Sequence, residues 1–167
     1  MLHDMFKTLA RFNAWANSGL YESCARLSDA EYKRDRKAFF GSVHNTLNHL
    51  LVVDRLWRGR VEGWKAEISS LDQILHKDFD ALRIARVAED TAIVRMVDGL
   101  DAKRLVQPLK YKFMDGTPAE TKLALVLMTL FNHQTHHRGQ IHVMLTQAGI
   151  KPAPMDIIDF EMSSDRT

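Results

Sequence analysis

The strongest constraint in this chain is a helical stripe from Leu123 to Gln147 that carries two histidines in its middle. Val126, Leu130, Ile141 and Met144 recur at the spacing of one helix face. At about 100° per residue, His133 and His137 stand roughly 40° apart, and those four apolar residues lie within about 80° of both. A segment patterned this way reads as a helix with one face in a core, and its two imidazoles enter that core with the apolar side chains. His136 points roughly 60–100° away, and His142 lies at the opposite edge. Two imidazoles buried side by side need a shared partner, because burial without one is costly. A bound cation is such a partner, since neutral imidazole ligates zinc, nickel, iron and copper.

Three further helices can be read from the rest. In the first, Met5, Phe6, Leu9, Phe12, Ala16 and Leu20 follow helical spacing. It is expected to end near Leu27, where Ser28-Asp29-Ala30-Glu31 offers a capping box. The charged segment from Glu31 to Lys37 reads as a loop or a single turn. Ser42 is the expected N-cap of the second helix. The stripe of that helix is Val43, Leu47, Leu50, Leu51, Trp57 and Val61, and it fades between Gly59 and Gly63. Ser70-Leu71-Asp72-Gln73 reads as another capping box, starting a third helix that runs to about Val97. The third stripe (Leu75, Phe79, Leu82, Ile93, Val97) is interrupted by Arg86 and Glu89.

Leu105 to Phe113 is β-like and is followed by Asp115-Gly116, a turn signal. Thr117-Pro118-Ala119-Glu120 combines an N-cap, a proline at N1 and a glutamate at N3, and so predicts the start of the last helix. Gly149 and Pro152 stop it. The tail from Met155 is expected to be irregular and locally packed, or frayed. Met128, Met144, Trp15 and Trp57 read as core, and Cys24 as a small buried hydrophobe. Gly139 reads as a site of close helix packing. Arg138 reads first as an inter-helix salt bridge and second as an anchor for an anionic substrate. No repeat, linker or second domain interrupts residues 1–167. The predicted architecture is a single all-α domain, a four-helix bundle with a short β-like hairpin before the last long helix.

Bulk properties narrow the function classes. Apolar residues make up 46% of 167, enough for one packed core. A formal net charge of +2 without a long basic track argues against a dedicated nucleic-acid binder. The single cysteine permits no intrachain disulfide and fits a cytoplasmic setting. Asp4, Lys7 and Arg11 break any signal-peptide apolar region. The longest apolar run, Leu123 to Met128, is too short to span a membrane.

Two histidines do not complete a metal site, because catalytic zinc commonly takes three protein ligands and water. The second helix supplies His44 and His49. His49 shares a face with Val53 and Leu56, so it is the better placed. His44 stands near the helix start and is expected to be half-exposed. Asp54 sits at the centre of the apolar stripe, roughly 140° from His49. It reads first as a buried ion-pair or hydrogen-bond acceptor, with orientation of a ligand imidazole as the alternative. A di-iron carboxylate bundle needs Glu-x-x-His motifs, and the chain has none.

Several stretches together closely resemble the DinB/YfiT-like family of bacterial proteins. They are Trp15-Ala16-Asn17, Phe39-Phe40-Gly41-Ser42-Val43-His44-Asn45-Thr46-Leu47-Asn48-His49-Leu50, Asp54-Arg55-Leu56-Trp57, and Asn132-His133-Gln134-Thr135-His136-His137-Arg138-Gly139-Gln140. The ending Leu145-Thr146-Gln147-Ala148-Gly149 also fits. The resemblance implies a four-helix bundle, often a homodimer, with one divalent metal ion per chain held by three histidines. Carried onto this chain, those are His49, His133 and His137. His136 matches a position where the family accepts tyrosine.

Zinc or nickel is the first expectation for the metal, iron or copper the second. Characterised members of the family include transferases and isomerases that use low-molecular-weight thiols. The resemblance therefore implies a small-molecule substrate, a thiol co-substrate and a metal-dependent thiol S-transferase or related stress-detoxification enzyme. A metal-dependent hydrolase is the alternative enzyme, and a metal-sensing or metal-sequestering dimeric bundle the non-catalytic one. The family name refers to damage-inducible genes and implies no DNA binding.

Overall fold

The computed structural model describes residues 1–164. Its frame is four long helices: α1 (Leu2–Cys24), α3 (Val43–Glu62), α4 (Phe79–Asp98) and α5 (Leu123–Gln147). Two short helices, α2 (Asp29–Lys33) and α6 (Ile157–Ser164), a 3-10 helix at Ala102–Val106, and a hairpin of β1 (Pro108–Lys112) and β2 (Pro118–Lys122) complete it. The expected all-helical bundle with a hairpin before the last long helix is the observed fold. No helix among the described residues is long and apolar enough to cross a membrane.

Local chemistry accounts for most of the boundaries. Ser28 Oγ accepts from the Glu31 amide and starts α2 inside the expected capping box. Ser42 Oγ accepts from the Asn45 amide and starts α3. Gly63, at φ 83°, closes α3 in the left-handed conformation. At the end of α5 the Ile150 amide reaches back to the Leu145 carbonyl, with Gly149 at φ 75° between them.

Two expected helix starts fall elsewhere. Ser70-Leu71-Asp72-Gln73 does not open α4, because Gln73 turns back to accept from the Ser69 amide and hydroxyl. The helix waits for Asp78, whose carboxylate caps the Ala81 amide. Thr117-Pro118-Ala119-Glu120 does not open α5 either. The Asp115 carboxylate accepts from the Thr117 amide, and Phe113 donates to the Thr117 carbonyl. Residues 118–122 then pair across the hairpin, with Leu109 opposite Thr121 and Tyr111 opposite Ala119. Burial of Leu109 and contact of Tyr111 with Trp57 reward the strand over the helix. The tail packs locally as expected, with Phe160 on Phe12 and Trp15, but as the short helix α6 rather than irregular chain.

Helices α1 and α3 each pack against both α4 and α5, so they face each other across the bundle diagonal. The contacts of α1 with α4 run antiparallel, from His3 on the Val97 carbonyl to Tyr21 on Phe79. Those of α3 with α4 run parallel, Asp54 to Arg86 and Arg58 to Glu89. The apolar core is divided in two. Leu20, Leu47, Leu51, Leu82 and Ile141 belong to one end, and Phe6, Ile93, Leu123, Leu127 and Leu130 to the other.

Between those ends lies a buried polar belt. Arg86 meets Asp54 at 2.7 Å and Asp90 at 3.0 Å, and all three are almost fully enclosed. Asn13 and Asn17 donate to Asp90. Arg138 donates to Asn13, Asn17, Gln134 and Thr135, and Gln134 donates to Asp54. Asp54 is thus a buried, paired carboxylate. Arg138 joins helices as expected, but through amide and hydroxyl oxygens rather than a salt bridge. The residues that seemed to interrupt the α4 stripe, Arg86 and Glu89, are buried in this belt or its rim. Two other readings change. Met128 is 55% exposed, so it is not core. Gly139 faces open space, with nothing within 4 Å of an added Cβ, so close packing does not explain it.

Candidate metal centre

His49 of α3 and His133 and His137 of α5 come together beside the polar belt. One ring nitrogen of each lies within 4.8 Å of the others, a group that can hold a metal ion. His133 and His137 face α3 because they are one helical turn apart on the buried side of α5. His49 faces them because α3 is fixed against α5 by Asp54 and Gln134, one turn further along. His44, the alternative third histidine, is buried rather than half-exposed and packs edge-on against Tyr32. It is outside the cluster. His136 is exposed and meets Gln140, while His142 is on the solvent side.

The rings are held in a definite sense. His49 Nδ1 donates to the Leu71 carbonyl at 2.7 Å, which makes Nε2 its lone-pair nitrogen. His137 Nδ1 donates to Gln140 Oε1 at 2.8 Å, with the same consequence. His49 Nε2 and His133 Nε2 stand 3.0 Å apart. Two nitrogens sharing a tetrahedral zinc are about 3.3 Å apart, from bonds of about 2.0–2.1 Å. Among the described residues, the buried Nδ1 of His133 has no hydrogen-bond partner, so this is the imidazole least satisfied by them. Neutral rings, inward-facing lone pairs and near-ligand spacing all fit a divalent cation.

Electrostatics point the same way. Burial, then the neighbouring imidazoles of His137 and His49, lowers His133 to about 3. Burial lowers His137 to about 4 against the opposing Gln140 bond, and burial lowers His49 as well. All three are neutral at physiological pH, the form that binds metal.

Several contributors carried no sequence signal of their role. Phe40 stacks on His49 with centroids 4.0 Å apart. Asn48 holds the 64–78 segment in place, accepting from the His76 amide at 3.0 Å and donating to its carbonyl at 3.1 Å. That segment carries the Leu71 carbonyl that orients His49. Gln140 alone could have been found, because it stands three residues after His137 on one helix face. A cleft of about 600 Å³ opens over His49 and His137, walled by Phe39, Phe40, Leu71, Asp72, His136 and Gln140.

A bundle of four helices that closes three neutral imidazoles from two of them around one point defines a class of helical proteins with a three-histidine site. The chain belongs to the DinB family, whose family model matches residues 1–167. It is similar to Protein DinB of Bacillus subtilis (strain 168), at 28% identity over 160 residues, covering 93% of this chain and 92% of that protein. Its fold matches the crystal structure of a DinB-like protein from Bacillus cereus ATCC 10987, with a TM-score of 0.62 and 22% identity over 83% of this chain and 89% of that one.

Proposed function

We propose that the protein binds one divalent metal ion through His49, His133 and His137 and is a metal-dependent thiol S-transferase or a related detoxification enzyme. Zinc or nickel is the first choice of metal, iron or copper the second. The observation that carries the reading is the set of three neutral imidazoles, two of which, His49 and His137, line a cleft of about 600 Å³. Three protein ligands leave room for an exogenous one, and the cleft gives that ligand a place to stand. A bound divalent metal favours the deprotonated form of a thiol or water placed beside it.

The residues divide the remaining work. His49 and His137 are locked in one tautomer by Leu71 and Gln140. Phe40 covers one face of His49 and keeps water from it. Phe39, Leu71 and Phe40 provide an apolar wall for an electrophilic substrate. In the reaction proposed, the thiol sulfur forms a bond to an electrophilic carbon as the bond to the leaving group breaks. The leaving group departs with that electron pair, and the thiol proton goes to solvent.

The cleft favours an enzyme over a metal sensor, which needs no substrate-sized space beside its ion. Metal analysis of protein purified without a histidine tag should give about one divalent ion per chain. The loaded protein should then consume an alkyl or aryl halide only when a thiol is supplied. Consumption that is independent of thiol would instead support the hydrolase reading.

A further inference from the structure

The charge of the cleft has a bearing on which thiol it admits. Among the described residues lining it, Asp72 is the only carboxylate, and there is no lysine or arginine. The cations nearest in sequence are engaged elsewhere. Arg138 follows His137 directly but is buried and turned into the bundle, where it donates to Asn13, Asn17 and Gln134. It therefore offers no anchor to an anion in the cleft. Lys37, two residues before Phe39, is paired with Asp35 at 2.8 Å. The walls add a second bias. Phe39 is 85% exposed and Phe40 stands edge-on beside it, and aromatic faces attract ammonium groups.

Resting on the thiol-transfer reading, we propose that this cleft selects thiols carrying a neutral or cationic tail over anionic ones, and that Asp72 is the residue that sets the preference. A single carboxylate acting across a partly solvated cleft changes the affinity of a charged ligand by about five-fold per unit charge. The effect weakens as salt is raised.

The test uses the full-length protein loaded with Co²⁺, whose sulfur-to-cobalt charge-transfer absorption reads thiol binding without turnover. Three thiols are titrated: cysteamine (ammonium tail), 2-mercaptoethanol (neutral) and 3-mercaptopropionate (carboxylate). Each affinity is compared between wild type and Asp72→Asn, which cancels the thiols' intrinsic differences. Asp72 is exposed and lies outside the histidine cluster, so the cobalt stoichiometry should be unchanged in the variant. The expected result is that Asp72→Asn weakens cysteamine about five-fold, leaves 2-mercaptoethanol unchanged and tightens 3-mercaptopropionate about five-fold. Asp72→Lys should exaggerate the same pattern. A wild-type-to-variant ratio that is the same for all three tails overturns the proposal. If no thiol produces the charge-transfer band, the thiol reading itself has failed. The charge preference is then read from the cobalt ligand-field bands with histamine, imidazole and imidazole-4-acetate. The same order supports it, and ratios independent of charge overturn it.

Discussion

At the scale of single residues, the centre depends on neutral histidines in places where charge is disfavoured. Removing His49, His133 or His137 by substitution with Ala should each reduce the bound metal severalfold or more, as read by elemental analysis of dialysed protein. His142→Ala, on the solvent side, should leave it unchanged. Retention of a full equivalent of metal by His137→Ala would remove that residue from the ligand set. In the metal-free chain the same burial couples stability to pH. His133 and His137 are lowered to about 3 and about 4 in the fold, against an ordinary value of 6.5. As pH falls, the unfolded chain takes up protons first. The contribution of these groups is therefore complete above about 6.5 and is lost as pH falls towards the 3–4 range. Urea unfolding of the chelator-treated protein between pH 7 and 4 should show this decline. The His133→Ala/His137→Ala double variant should show a shallower one.

At the scale of elements, the belt and the 64–78 segment hold the helices that carry the site. Asp54→Ala would leave Arg86 with Asp90 alone and Gln134 without its acceptor. Breaking a buried pair of this kind costs about 3–5 kcal/mol, so thermal unfolding should fall sharply with or without added metal. His137→Ala should behave oppositely, keeping the metal-free stability and losing the gain from metal. Asn48→Ala frees both backbone groups of His76 and loosens the segment that presents Leu71 to His49. Loss of an orienting partner typically weakens metal binding by about 10–100-fold. Hydrogen exchange over 64–78 should rise in the same variant. A variant with faster exchange and undiminished affinity would show that Leu71 does not orient His49. These elements also mark how far the sequence could be read. The four stripes were legible because helical spacing repeats many times within each. The positions of His133 and His137 followed from that phase, and Ser42 from its capping chemistry. Of the belt, Asp54 and Arg138 were legible as buried polar ties between helices, but Arg86 and Glu89 look like breaks in a stripe until Asp54, Arg55 and Arg58 of α3 meet them. The starts at Ser70 and Thr117 misled because a capping sequence favours a start without compelling one: Gln73 turns back to Ser69 and residues 118–122 pair across the hairpin, while α5 begins with no side-chain cap. The Leu71 carbonyl and the Phe40 ring act through contacts made only by folding.

At the scale of the whole molecule, we expect a homodimer. Ile84 and Val87 of α4 are 70% and 59% exposed and border a groove between α4 and α1, a face suited to a second helical surface. Light scattering should return twice the 19.2 kDa of one chain, and Ile84→Lys should reduce it towards one. A concentration-independent mass of a single chain in the wild type would count against the dimer. The distance along the chain between the site's two halves has a separate consequence. His49 and His133 are 84 residues apart, with α4 and the hairpin made between them. During synthesis, a nascent chain exposes a lone imidazole of this set until the 84 residues that follow His49 have also left the ribosome. Metal therefore has no scaffold to template early in biogenesis. On the proposed metal reading, loading would be a check on completion: a chain truncated before α5 should not take up the ion at this site, and occupancy should mark only molecules whose last long helix has docked.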